Sequence, residues 1–454
     1  CDLLVLGAGP GGYRAALDGA AAGLKTVLVE KGHLGGTCLN WGCIPTKLFL
    51  GATQAAADLE VQSRLRTLAG TIRFDLAGIQ KRKRTLILGT RKSMERSLKD
   101  SGIELITGAG QLIGPNILAV DMQGSYSEIH FSHLVIAAGS VPFFPPGLAP
   151  NGREILDSTD CLELGNVPAR LAVIGAGPIG IELAQFWSRL GSEIVLVELA
   201  PTILPTEDPE IAALMAWHLK RFGWTVHTAT TVTELDDDAD GVGLLLQNGE
   251  RITADKVLVS VGRMPALSGL GVENTDISVT SRGWIRTDDA LRAAENVYAV
   301  GDVNGRFLLA HAAEDQARYV IRHILETEKG PYDPGPPPSC VYGDPEVFRA
   351  GFSVRELKER DLPVSVSRFQ LAANPVAQAS GSTRGMIKVI WSEGKIRGVT
   401  GIGHRAAGMV TLAEVMVRQS WTREEIHNTI FAHPTLDEAL KEAVLAPLEE
   451  VDRD

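Results

Sequence analysis

The chain has 454 residues, too many for one hydrophobic core, and its 44% hydrophobic and 22% charged residues are ordinary for a globular protein. A net charge of -11, with no basic block near a terminus, argues against nucleic acid or an acidic membrane as the main partner. No apolar run reaches transmembrane length, and five cysteines do not make the disulfide framework of a small secreted fold.

The chain opens straight into an apolar run, so no signal peptide is expected, and the absence of an initiator Met suggests a trimmed start. Residues 2–6 (Asp-Leu-Leu-Val-Leu) predict a buried parallel strand. Gly7-Ala8-Gly9-Pro10-Gly11-Gly12 follows, then an Ala-rich helix to about Ala22 and a second strand over residues 24–29 that ends at Glu30. Strand, glycine turn, helix, strand and terminal acid form a dinucleotide-binding unit. Gly7, Gly9 and Gly12 permit the tight turn and close approach of backbone to pyrophosphate, the helix N-terminus faces the phosphates, and Glu30 accepts from ribose hydroxyls.

Residues 35–47 read Gly-Gly-Thr-Cys-Leu-Asn-Trp-Gly-Cys-Ile-Pro-Thr-Lys. A thiol works as a nucleophile only as thiolate, which a helix N-terminus and a nearby ammonium both favour. This stretch offers a Gly-rich entry to a helix expected from Leu48 onward, and Lys47. Cys38 and Cys43 are therefore candidates for a redox-active pair, against two alternatives: cysteines that are merely close and buried, or half of a metal site. A metal site would want a second close pair, and Cys1, Cys161 and Cys340 supply none. No metal is expected. One close pair in a Cys-poor chain points to catalysis in a reducing compartment, read as the cytoplasm.

Residues 63–100 carry Lys, Arg and Leu at helical spacing; the run Lys81-Arg82-Lys83-Arg84 is expected as a solvated helix face rather than a nucleic-acid patch. Residues 103–136 alternate as a small sheet, then a buried strand over 134–137 leads to Ala138-Gly139-Ser140-Val141-Pro142. A matching end recurs at residues 257–265, and the Pro-rich residues 141–150 are expected to link two domains.

The dinucleotide unit recurs in between. Ala172-Val173-Ile174 lead into Gly175-Ala176-Gly177-Pro178-Ile179-Gly180, a helix, a strand over 193–197, and Glu198 at the same offset from Gly175 as Glu30 from Gly7. Two units imply two dinucleotides, unless one is a degenerate structural copy. A carboxylate at Glu198 repels a 2'-phosphate, and Leu199-Ala200-Pro201-Thr202 offers no Arg to hold one, so NAD is preferred over NADP. Residues 296–302 form another buried strand ending in Gly301-Asp302, where the acid suits a cofactor hydroxyl, and a helix follows from about Ala310 to His323.

Five prolines in residues 330–338 mark a boundary. Beyond it, strands are expected over 364–369, 386–391 and 398–402 with three helical stretches, an α+β domain with no nucleotide motif. Near its end stands Phe431-Ala432-His433-Pro434-Thr435-Leu436-Asp437-Glu438. Thr435 to Glu438 has the spacing of a capping box; the same residues offer a general base, His433, held by a carboxylate, Glu438. Spacing alone leaves both readings open.

These motifs together resemble the pyridine nucleotide–disulfide oxidoreductases along nearly the whole chain. Leu309-Ala310-His311, Ala372-Ala373-Asn374 and Glu198 narrow the resemblance to its lipoamide (dihydrolipoyl) branch. The resemblance implies an α/β chain with two Rossmann-like domains and a C-terminal α+β dimerisation domain. Its parts are residues 1–145 (FAD, first part), 146–266 (NAD), 267–334 (FAD/central, second part) and 335–454 (interface). It places FAD on Gly7, Gly9, Gly12, Glu30 and Lys31, on Thr37 and Lys47, on Gly110 and Gly139, and on Asp302, Leu309, Ala310 and His311. It places NAD on Gly175, Gly177, Gly180, Glu182, Glu198, Val232 and Gly262, with Glu182 also pairing Lys47. Cys43 would lie against the flavin and Cys38 exchange with substrate, served by His433 and Glu438 of the other subunit of a homodimer.

The implied reaction is oxidation of dihydrolipoamide, carried on the lipoyl domain of an acyltransferase or a glycine-cleavage carrier protein, with NAD as acceptor. The alternatives are another NAD(P)H-dependent disulfide reductase of the family, or a non-catalytic flavoprotein subunit of a dehydrogenase complex. Four positions depart from the family pattern: Trp41, Ala138, Pro178 and Phe431.

Overall fold

A computed structural model of the chain describes residues 1–238 and 241–452. It divides into two compact units: residues 1–48, 77–143 and 262–334 form the first, residues 49–76, 144–261 and 335–454 the second.

The first unit is built on a six-stranded sheet in the order Arg292–Ala294, Val297–Ala299, His133–Ile136, Leu3–Leu6, Thr26–Glu30, Glu104–Thr107. All neighbours run parallel except the outermost pair, Arg292–Ala294 with Val297–Ala299. Leu3–Leu6 is buried along its whole length, which is why an unbroken apolar run announces it rather than an alternating one. Side chains sort to the two faces with a period of two. Leu3, Val5, Leu28 and Val135 share a core with the packed helices Pro10–Ala21 and Ala310–Ile324. On the other face Leu4, Leu6, Val27 and Val29 meet Leu112, Leu118 and Val120 of a small antiparallel sheet, Ala109–Gly114, Ile117–Asp121 and Tyr126–His130.

Two expectations change here. The residues following Gly139 are not slack linker from the start: Ser140–Pro142 pairs antiparallel with Arg263–Pro265. A ribbon of two edge strands tolerates the prolines because neither has to donate to a central ladder. The basic run 81–84 does lie on a helix, Leu76–Asp100. Lys81, Arg82 and Arg84 are exposed, but Lys83 is buried on the inward stripe with Gln80 and Ile87, since residues three and four apart share a helix face.

The second unit contains a parallel sheet in the order Thr225–His227, Glu193–Val197, Arg170–Ile174, Lys256–Val259, Ile155–Leu156. Helix Pro178–Arg189 follows its middle strand, and the antiparallel strands Val232–Asp238, Gly241–Leu246 and Arg251–Ala254 close one core. The C-terminal part is a six-stranded antiparallel sheet in the order Ser339–Val341, Glu346–Gly351, Lys395–Gly403, Met386–Ser392, Ser365–Gln370, Glu449–Glu450. Its core includes Met409, Met416, Leu440 and Val444 from helices and turns beside it.

Three strands and three helical stretches were expected there; the described residues hold six strands and five α-helices. Several of the additions have two to six residues, too few to show a period.

Within this unit an ionic clamp joins the helix Pro209–Arg221 to the sheet. Lys388 Nζ donates to Asp208 Oδ2 at 2.8 Å and Glu210 Oε1 at 2.6 Å, and Arg368 forks onto both Glu210 oxygens at 2.8 Å. Asp208 also caps the helix by accepting the Glu210 N–H. Among the described residues no helix is long and apolar enough to cross a membrane.

Candidate active site

The two glycine turns are built alike. Gly7 and Gly175 both take φ +102, and a Cβ on either would meet a backbone oxygen, Ala137 O or Ser260 O, at 2.5 Å. Gly12 and Gly180 lie against the carbonyls of Gly7 and Gly175, leaving no room for a side chain, whereas Gly9 and Gly177 face open space. First glycine for the turn, third for helix packing, second left open for a ligand's backbone approach: this is the arrangement a pyrophosphate needs.

Gly9 and Gly177 stand at the N-termini of Pro10–Ala21 and Pro178–Arg189, with Pro10 and Pro178 in the first turn, where a missing N–H costs nothing. Pro178 is thus explained by the helix start. Glu30 accepts the Ala8 and Gly32 N–H groups at 2.7 Å. Glu198 accepts those of Ala176 and Ala200 at 2.7 Å. Both acids are thereby fixed over their turns, and the residues present fit two dinucleotides.

Around the first turn, Lys31 and Thr37 are exposed and Gly110 is buried against Leu6 and Leu118. Gly139 holds φ +74 beside open space, and Leu309, Ala310 and His311 form the start of Ala310–Ile324. Asp302 begins a short turn, accepts the Ser140 hydroxyl, and lies 3.9 Å from Arg263, which donates to Ser140 Oγ at 2.7 Å. Burial pushes the Asp302 carboxyl up, with Ser140 and Arg263 opposing. Arg263 went unassigned in the sequence; its matching Val-Gly-Arg-Met-Pro stretch was the available signal.

In the second unit Glu182 accepts the Tyr342 N–H at 2.9 Å. Val232 is packed in the core with Val197 and Val259, so its side chain is closed to a nucleotide. Gly262 takes φ +142 at the entry to the ribbon strand Arg263–Pro265.

The cysteine stretch sits directly on the first turn. Gly35 N–H bonds Ala8 O at 2.8 Å, and Gly36, at φ +54, lies so close that a Cβ would come within 2.8 Å of Gly9 Cα. This close approach requires the Gly-Gly pair. Cys38 lies in helix Gly36–Trp41. The next helix is Cys43–Ala52, beginning five residues before the expected Leu48. Gly42 breaks the two at φ -140, ψ -113, and its carbonyl accepts both the N–H and the hydroxyl of Thr46 at 3.1 and 2.7 Å. Cys43 is therefore in the first turn of a helix, where the dipole favours thiolate.

Neither cysteine is in a disulfide; Cys43 is exposed and Cys38 half-buried. A hydrogen bond to Cys43 pushes the Cys38 thiol far up, with burial adding and Lys47 opposing. Asn40, buried, anchors the segment by donating to Leu34 O and Gly36 O at 3.0 and 2.8 Å and accepting from Arg91 Nε at 2.6 Å. Trp41 rests against His33, ring centroids 5.9 Å apart.

In the second unit His433 Nδ1 and Glu438 Oε1 are 3.1 Å apart, and Glu438 Oε2 accepts the Thr435 N–H at 2.9 Å. The Thr435 N–H and then His433 hold the Glu438 carboxyl below its usual range. The capping box is half formed: Glu438 reaches back as a box acid does, but the Thr435 hydroxyl bonds Ala432 O instead of the helix. Cap and imidazole partner are one carboxylate. His433 is 70% exposed, while Phe431 is half-buried against the C-terminal core. Among the described residues no His, Cys, Asp and Glu cluster suits a metal.

Comparison with known proteins divides the chain at the proline-rich residues 330–338. Residues 1–317 match the family described as pyridine nucleotide-disulphide oxidoreductase, and residues 337–444 its dimerisation domain. A relative from Chlorobaculum tepidum, named dihydrolipoyl dehydrogenase, is 35% identical over 99% of this chain and 97% of its own length. One from Bacillus subtilis with the same name is 33% identical over 98% and 97%. Among solved structures, LpdA from Mycobacterium tuberculosis superposes with a TM-score of 0.90 at 25% identity, covering 98% of this chain and 99% of that one. The HOCl-induced flavoprotein disulfide reductase RclA from Escherichia coli gives 0.87 at 27%, covering 98% and 99%. With its two dinucleotide folds and paired thiols, the chain belongs to the pyridine nucleotide–disulphide oxidoreductases, enzymes that use FAD and NAD.

Proposed function

We propose that the chain oxidises dihydrolipoyl groups to the cyclic disulfide, with Cys38 and Cys43 as the redox pair, FAD on the first dinucleotide turn and NAD on the second. The observation that carries this reading is the packing of the Gly35-Gly36 segment onto Gly9, which sets the paired sulfurs beside one nucleotide turn. The names of the relatives support the substrate.

In the oxidised enzyme His433 takes a proton from one thiol of the substrate, because thiolate is the species that attacks a disulfide. That thiolate attacks Cys38 and displaces the Cys43 thiolate, for which the first turn of its helix is a favourable place. The second substrate thiol then closes the ring and releases Cys38, so two electrons have moved from the dithiol to the cysteine pair. Glu438 holds the imidazole and stabilises its protonated form. FAD and NAD, when bound, supply the onward passage of the electron pair as hydride.

Cys43 is the more exposed residue of the pair, as suits one that FAD covers. Glu30 and Lys31, with Gly139 and Asp302, would hold FAD; Glu198 would hold the NAD ribose. The partner is a lipoyl-bearing protein, the assembly a homodimer in which each His433 serves the other subunit's cysteines, and the compartment a reducing one, the cytoplasm.

The likeness to a disulfide reductase supports a second reading. Glu198 disfavours an NADPH-dependent version of it. The test is His433→Gln: turnover of dihydrolipoamide with NAD falls by about a hundredfold or more, the scale of general-base catalysis, while NADH-to-dye transfer persists. Equal loss of both activities refutes the base assignment, and a wild-type enzyme inactive on dihydrolipoamide refutes the substrate.

A further inference from the structure

Asn374 belongs to a stretch, Ala372-Ala373-Asn374, that marks the lipoamide branch yet holds neither cofactor nor cysteine. It is 1% exposed. Its Oδ1 accepts the N–H groups of Val376 and Ala377 at 3.0 and 3.1 Å, capping helix Pro375–Ser380. Its Nδ2 points the other way and donates to Thr435 O at 3.0 Å. Thr435 is the residue whose N–H fixes Glu438 Oε2, and the other Glu438 oxygen faces His433 Nδ1. The Thr435 hydroxyl also ties the loop, donating to Ala432 O at 2.8 Å.

We propose that Asn374 is a positioning residue for the His433–Glu438 pair: by gripping the Thr435 peptide from a buried, capped helix start it aims the Glu438 carboxylate at the imidazole. The inference rests on the reading of His433 as the base. A primary amide suits the task because it accepts on one side and donates on the other. A carboxylate keeps the cap and loses the donor, and a serine hydroxyl keeps the cap but has no second arm to stand where the amide Nδ2 donates to Thr435 O. The consequence is that His433, on an exposed loop, inherits its orientation from the C-terminal core. Beside the Thr435 N–H and His433, Lys441 on the same helix lowers the Glu438 carboxyl; the Asn374 helix, Pro375–Ser380, carries no charged side chain.

The test uses the full-length FAD-loaded enzyme and Asn374→Asp, which retains the helix cap, with Asn374→Ser as a second variant should the first fail to fold. Dihydrolipoamide kcat falls about tenfold or more, whereas NADH-to-dye turnover changes less than about twofold, the split expected of an effect confined to proton transfer. In a cycle with Glu438→Gln the double variant loses little more than Glu438→Gln alone, since both act through one carboxylate. Independently of turnover, the 15N spectrum of His433 loses the signature of an Nδ1–H donated to a carboxylate. Additive losses, or an unchanged His433 spectrum, overturn the inference. If His433→Gln itself leaves dihydrolipoamide turnover intact, the base assignment fails instead, which separates the two readings.

Discussion

One methyl group placed on Gly36 tests the link between the thiol pair and the first nucleotide fold. Gly36 has φ +54, and its Cβ would stand 2.8 Å from Gly9 Cα and 3.3 Å from Gly9 N. A left-handed conformation costs an L-residue about 1–2 kcal/mol. Carbon atoms settle at about 3.5–4.0 Å, so the two backbones must part by roughly 1 Å, and overpacking of that kind costs about 1–3 kcal/mol. No flexible side chain can yield, because both sides of the contact are main chain.

Gly36→Ala should therefore lose about 2–5 kcal/mol, and where the strain is relieved by opening the Gly9 turn the loss appears as FAD affinity, a factor of ten for each 1.4 kcal/mol. Flavin fluorescence released on dilution measures it, and thiol–disulfide equilibration of Cys38 and Cys43 measures the displacement of the pair. Gly51→Ala is the control: it lies in helix Cys43–Ala52 with open space around its Cβ position, and should be neutral or stabilising by about 1 kcal/mol. Wild-type FAD affinity and an unchanged thiol equilibrium in Gly36→Ala would refute the argument that this contact couples the two motifs.

The ionic clamp predicts a large loss for Lys388→Met. It strands Asp208, 2% exposed beside a Lys388 that is 6% exposed, and removing one partner of a buried pair costs about 3–5 kcal/mol; denaturant unfolding measures it, and Asp208→Asn in the same chain should recover part. Arg368 first, with Lys388, holds the Glu210 carboxyl down at about 2 against an ordinary 4.5. Its contribution to stability is complete above the ordinary value and disappears as pH falls from there towards 2, so Lys388→Met should flatten the acid limb of the unfolding curve. For the second nucleotide, Glu198→Ser with Ala200→Arg should shift the NAD-to-NADP preference by about tenfold or more towards NADP, by removing a repelling carboxylate and adding a phosphate partner; steady-state kinetics with both nucleotides decide, and an unchanged ratio removes Glu198 as the selector.

The chemistry was more legible than the architecture around it. Gly7 to Glu30 and Gly175 to Glu198 declared themselves because backbone approach to a phosphate can be met by few residue types, so the requirement is written in the sequence. His433 and Glu438 were visible as a pair but ambiguous, and the structure shows why: one carboxylate serves both the turn and the imidazole. What stayed hidden was long-range. The donation from Asn374 to Thr435, the grip of Arg91 on Asn40 and the Lys388–Asp208 clamp join residues far apart in the chain, and no local pattern encodes which distant segment a side chain will meet. Lys83 was hidden differently: a charge run suggests solvent, and only the helix phase turns one of four charges inward.

The order of strands in the first sheet has a consequence for synthesis. Its members come from residues 3 to 299, with Val297–Ala299 pairing His133–Ile136, whereas the parallel sheet of the second unit is drawn wholly from residues 155–259. A nascent chain can therefore finish the later nucleotide fold while the earlier one still lacks strands, leaving His133–Ile136 as an open parallel edge. Such an edge is a template for wrong pairing. The interval between translating residue 136 and residue 299 is thus the period in which this chain is most exposed to association with other unfinished copies, and a stalled or truncated product ending near residue 261 should be the species that aggregates.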